Sequence, residues 1–74
     1  MYSAQITKIG EIDSSGLFEV YFDVYKEKEL LFENQVRRGV EKGIVVDEIR
    51  TYLKEIEQKY IEVQKFEIGE VITL

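Results

Sequence analysis

Within the run from Leu17 to Lys26, Phe18, Val20, Phe22 and Val24 alternate strictly with Glu19, Tyr21, Asp23 and Tyr25. Successive side chains of a β-strand point to opposite faces, so this spacing predicts a half-buried strand. Aliphatic and phenyl groups lie on one side of it, acids and phenols on the other. Tyr2–Ile12 reads as a preceding strand. Asp13-Ser14-Ser15-Gly16 reads as the turn between them, with Asp13 accepting local amide hydrogens and Gly16 taking a positive φ. A three-residue loop with a bulged Gly16 pairs Asp13 with Leu17 and Ile12 with Phe18, and sets the even-numbered residues of both strands on one face. That register also brings Lys8 to the apolar face near Phe22. A bulge at Ile9-Gly10 relieves the conflict by turning Ile9 in and Lys8 out; without it Ile9 joins Tyr21 and Tyr25 on the outer face.

Lys26-Glu27-Lys28-Glu29 carries only charge and reads as an exposed connection. A third strand follows over Leu30–Arg37, with Leu30, Phe32, Asn34 and Val36 sharing a face, and Arg38–Gly43 leaves the sheet as a loop. Asp47 is the expected N-cap of a helix whose stripe is Ile49, Leu53, Ile56 and Tyr60, spaced 4, 3 and 4. At about 14 residues such a helix is marginal alone in water, so the stripe must pack on the apolar face of the sheet. Beyond Tyr60 the period returns to 2 through Phe66, Ile68, Ile72 and Leu74, which predicts a last strand with an irregularity at Gly69. The expected fold is α+β, with element order β-β-β-α-β. It is a mixed four-stranded sheet of spatial order 4-1-2-3 with one helix on one face. The expected core is Phe18, Val20, Phe22 and Val24 with Ile6, Ile12, Phe32, Ile49, Leu53, Ile56, Phe66 and Ile68.

The 74 residues make one domain, 1–74. A chain this short buries only about 60% of the surface its unfolded form exposes, so its core is small and a partner has room to add stability. No Cys is present to supply disulfides or a thiolate zinc site. No signal peptide, membrane anchor or spanning segment is read, and a cytoplasmic setting is the default. Ten basic against fifteen acidic residues give a net charge of −5, which disfavours nucleic acid as a partner.

With neither His nor Cys, the common nucleophilic triads, imidazole metal sites and neutral-pH proton shuttles are missing, so the chain reads as no enzyme and as needing no cofactor or metal. Its carboxylate pairs, Glu27/Glu29, Asp47/Glu48 and Glu55/Glu57, stand in charged surroundings and read as solvated surface. Two clusters remain. Arg37, Arg38 and Lys42, with Gly39 and Gly43, form a basic loop before the helix that offers a place for a small anionic ligand. Tyr21 and Tyr25 on the outer face, with Ile9, offer a protein-contact surface, since aromatic side chains bury much area for few rotatable bonds.

The opening Met1-Tyr2-Ser3-Ala4-Gln5-Ile6-Thr7, the strand Leu17–Tyr25, the helix start Val46-Asp47-Glu48-Ile49 and the closing Phe66–Ile72 together resemble small tailed-phage and prophage proteins encoded near structural and tail genes. The resemblance implies a virion-assembly or host-modulating role through protein contacts, with virion association as the alternative location, and no catalytic residue. The expected function is a small non-catalytic interaction or assembly module that forms a homo-oligomer. Its rivals are a regulatory domain binding an anion at Arg37–Gly43 and, last, an enzyme.

Overall fold

The computed structural model describes all of residues 1–74. Three strands, β1 (Tyr2–Ile9), β2 (Phe18–Lys26) and β3 (Glu29–Gly39), form an antiparallel sheet in the order β1-β2-β3, and a single helix, α1 (Lys42–Val63), lies across one face. The class is α+β, but the sheet has three strands rather than four and the order is β-β-β-α. The mixed β-β-β-α-β arrangement expected from the periodicity is not the fold.

The alternation of β2 is realised in full. Val20, Phe22 and Val24 are buried, Phe18 is half-buried against them, and Tyr21 and Tyr25 look the other way. The β1–β2 turn also follows its local chemistry. Asp13 N–H donates to the Leu17 carbonyl at 2.9 Å, Gly16 sits at φ 84°, and Asp13 Oδ1 accepts from the amides of Ser15 and Leu17 at 2.9 and 3.0 Å. Beyond the turn the expected register fails. β1 ends at Ile9, so the expected pair of Ile12 with Phe18 does not form in the β1–β2 ladder, and Ile12 is 72% exposed. The bulge that turns Lys8 outward and Ile9 toward the helix sits at Thr7, between the pairs Ile6–Phe22 and Lys8–Tyr21. Ile9 is paired with Val20, and so lies on the helix side of the sheet, away from the tyrosines.

β3 departs from alternation twice. Asn34 adopts φ 55° and its amide donates to Asp23 Oδ1 at 3.0 Å, and the register shifts on either side of Val24. The side chain of Asp23 therefore pins a bulge that an Asn accommodates with little strain. As a result Phe32, Gln35 and Arg37 sit opposite Val24, Phe22 and Val20 on the helix side, while Leu30 and Val36 sit opposite Tyr25 and Tyr21 on the outer face.

α1 begins at Lys42, more than a turn before the expected cap Asp47. Glu41 holds the N-cap position in an extended conformation and makes no side-chain cap bond. Val45 explains the early start. It is buried with Ile49 and Ile56, which extends the apolar stripe by one turn, and it packs so closely on the end of β3 that a Cβ on Gly39 would stand 2.6 Å from Val45 Cγ2. Tyr52, Leu53 and Tyr60 complete the stripe from the flanks, and Tyr60 meets Tyr2 at a ring separation of 6.0 Å.

Past Tyr60 the helix outruns the sheet. Ile61 and Val63 are exposed, and the segment 66–74 forms no strand. Glu70 N–H donates to the Glu67 carbonyl at 3.0 Å with Gly69 at φ 89°, a type II turn that divides the segment into two pieces too short to make a ladder. Phe66 and Ile68, expected in the core, are 62% and 109% exposed. Ile6 and Phe32, also expected there, lie at its rim, 48% and 37% exposed.

The molecule is accordingly drawn out. Its radius of gyration is 16.2 Å, where a compact chain of this length has about 11 Å. It exposes 6209 Å², where a folded monomer of 8.7 kDa exposes about 4,700 Å².

Candidate functional site

One helix about 10 Å wide cannot cover three strands spaced about 4.8 Å apart, so the rim of the helix-bearing face stays open. The opening most nearly lined by apolar side chains alone is the seam between β1 and α1. A groove of ≈ 400 Å³ there is walled by Ile6, Ile9, Phe18, Val45, Val46 and Ile49, with Lys42 at its edge. It runs on past Ile6, Val46 and Ile49 into a shallower part bounded by Ala4, Arg50 and Leu53. Each wall has a local cause. The Thr7 bulge turns both Ile6 and Ile9 to this side, and the early start of α1 brings Val45 and Val46 over Phe18. Ile9 remains 70% exposed because nothing of this chain lies across it.

The outer face is built differently. Tyr21 O–H donates to Glu19 Oε2 at 2.6 Å, Arg38 Nη2 reaches Glu19 Oε1 at 3.2 Å, and Lys8 Nζ stands 5.3 Å from the Tyr21 ring centroid. The hydrogen bond to the Glu19 carboxylate raises the Tyr21 pKa above its ordinary value of 10.0. Glu19 and Asp23, the acids of this face, are thus engaged within the chain, Glu19 by Arg38 and Tyr21 and Asp23 by the Asn34 amide. Both tyrosines are half-buried.

The structure separates the predicted site residues. Of the contact group, Tyr21 and Tyr25 share the outer face, and Ile9 belongs to the seam. Of the basic loop, Arg37 lies on the helix side, Arg38 on the outer face, and Lys42 on the seam. Arg37 is occupied: its guanidinium is 4.4 Å from the Tyr52 ring centroid and donates to the Val36 carbonyl at 2.6 Å. The hollow beside it, ≈ 450 Å³, is lined by Asp47, Glu48 and Glu55, an acidic surrounding that repels anions.

The seam and the projecting segment 66–74 were not legible as sites in the sequence. The signal was present in the apolar run Ile44-Val45-Val46, which precedes the expected helix cap, and in the alternation after Phe66. No cluster of His, Cys, Asp or Glu is arranged to hold a metal, and no helix is long and apolar enough to cross a membrane. No protein-family model, no curated protein and no solved structure matches this chain.

Proposed function

We propose that this chain is a small non-catalytic assembly module that works by protein contact, self-association included. The observation that carries the reading is the exposed surface: about 1,500 Å² beyond that of a compact monomer of the same mass. Much of it is apolar and contiguous in the chain, with Phe66, Ile68, Val71, Ile72 and Leu74 all open to solvent. A specific interface removes about 800 Å² from each partner, so the surplus is of the right size for one. Large exposed apolar areas on a folded chain mark contact surfaces. A structural or accessory role in a tailed phage or prophage, in the cytoplasm or on the virion, is the setting this reading carries, and it rests on the pattern of the sequence segments alone.

Light scattering over a concentration series tests the reading. The expected result is a species heavier than the 8.7 kDa monomer. A monomer up to millimolar concentration would remove self-association. Tyr21→Ser/Tyr25→Ser serves as a control, since the polar network of the outer face is satisfied within the chain; its mass is expected to match the parent.

A further inference from the structure

We infer that the apolar segment 66–74 of one copy lies in the β1/α1 seam of a second copy, and that the exchange is reciprocal in a symmetric dimer. The inference rests on the assembly reading above and names its partner.

Three observations converge on it. First, the same chain carries an uncovered apolar groove and an uncovered apolar segment. Ile6, Ile9 and Val46 line the one, and Phe66, Ile68 and Ile72 form the other. A pair of copies covers both at once, and because each copy contributes the same two surfaces the contact closes on itself as a two-fold dimer. Second, the charges match. The groove is edged by Lys42 and Arg50, of which only Arg50 has an acidic neighbour, Asp47 at 4.0 Å, whereas the segment carries Glu67 and Glu70. Third, the segment leaves α1 at the wrong end to fill its own groove. From Val45 to Val63 the helix axis advances about 27 Å at 1.5 Å per residue. The type II turn at Gly69 shortens the reach of residues 70–74. A second copy, with its helix antiparallel, presents its groove where the segment already is.

The area agrees with this. Each copy offers one segment and one groove and carries a surplus of about 1,500 Å², against about 800 Å² that each partner gives up in a stable complex.

The test uses the full chain and equilibrium sedimentation. Ile68→Ser/Ile72→Ser alters only residues with no cover in the single copy, and Ile9→Glu/Val46→Glu places like charge in the groove against Glu67 and Glu70. Each is expected to raise the dimer dissociation constant at least tenfold, with the helix content by circular dichroism unchanged. A charge exchange adds a third arm: Glu67→Lys/Glu70→Lys is expected to weaken the dimer, and adding Lys42→Glu/Arg50→Glu to the same chain is expected to restore it. A dimer that survives either the segment or the groove variant overturns this inference and leaves the assembly reading standing. A parent chain that stays monomeric overturns the inference and removes self-association with it.

Discussion

The guanidinium of Arg37 on β3 stacks 4.4 Å from the ring centroid of Tyr52 on α1, and the Tyr52 hydroxyl donates to Gln35 Oε1 at 2.8 Å. The two contacts clasp the helix to the strand beside the core residue Phe22, whose ring meets Tyr52 edge-on at 6.1 Å. Tyr52→Phe keeps the stack and loses the hydrogen bond, so it is expected to cost about 0.5–1.5 kcal/mol. Arg37→Met keeps an apolar stem and loses the cation, at about 0.5–1 kcal/mol for a half-exposed pair. A double-mutant cycle of Arg37→Met with Tyr52→Leu by urea denaturation measures the coupling, and additivity within about 0.3 kcal/mol would mean that the stack contributes nothing.

Gly39 marks the closest approach of β3 to α1. A methyl group there meets Val45 at 2.6 Å, so Gly39→Ala is expected to destabilise the chain by about 1–3 kcal/mol through overpacking. Val45→Ala in the same chain opens the space, and the double variant is expected to be more stable than the sum of the two single losses predicts. Strict additivity in thermal melts would place the strain elsewhere.

Phe22 and Leu53 are not equivalent, although both belong to the apolar pattern. Phe22 is fully enclosed, and Leu53 sits half-buried at the seam. Phe22→Ala is expected to cost about 3–5 kcal/mol. That is comparable with the whole stability of a small domain at about 0.05–0.15 kcal/mol per residue, so the variant is expected to be largely unfolded. Leu53→Ala is expected to remain folded with a lowered Tm. Equal losses for the two, read by denaturant midpoints, would show that the seam is as well covered as the centre.

Asp13 organises the β1–β2 turn, and its pKa lies below the ordinary 3.8 because the Ser15 hydroxyl and then the Leu17 amide donate to its carboxylate. A carboxylate with a depressed folded-state pKa contributes stability that is present above the unfolded value and lost as pH falls through the folded value. Asp13→Ala is therefore expected to lower the Tm near pH 7 and to lower it less below pH 3.8. Carboxyl NMR titration of Ser15→Ala is expected to move the Asp13 pKa upward. A loss of Tm that does not change with pH would separate the turn's stability from the charge.

Aggregation is a related expectation, since β1 is an open sheet edge and 66–74 is apolar. Adding charge to the segment with Ile68→Lys/Leu74→Lys is expected to raise solubility without changing the melting of the monomeric fold, because both side chains are fully exposed. A lowered Tm in dilute solution would show that the segment supports the core.

The strict period of 2 from Phe18 to Tyr25 determined by itself which side of the sheet is buried, because a strand has only two faces and the sorting leaves no alternative. Asp13 and Gly16 determined the turn, through bonds made within five residues. The spacing of Ile49, Ile56 and Tyr60 likewise determined the helix and its inner face. What lay beyond the sequence were the places where one element answers to another distant in the chain. The Thr7 and Asn34 bulges depend on β2, and the start of α1 depends on the contact of Val45 with Gly39. The fate of 66–74 is the clearest case. An alternating apolar pattern says that side chains need cover; it does not say what provides it. A helix that runs on to Val63 and a turn at Gly69 carried this segment off the sheet. The same residues that read as a fourth strand are therefore exposed surface.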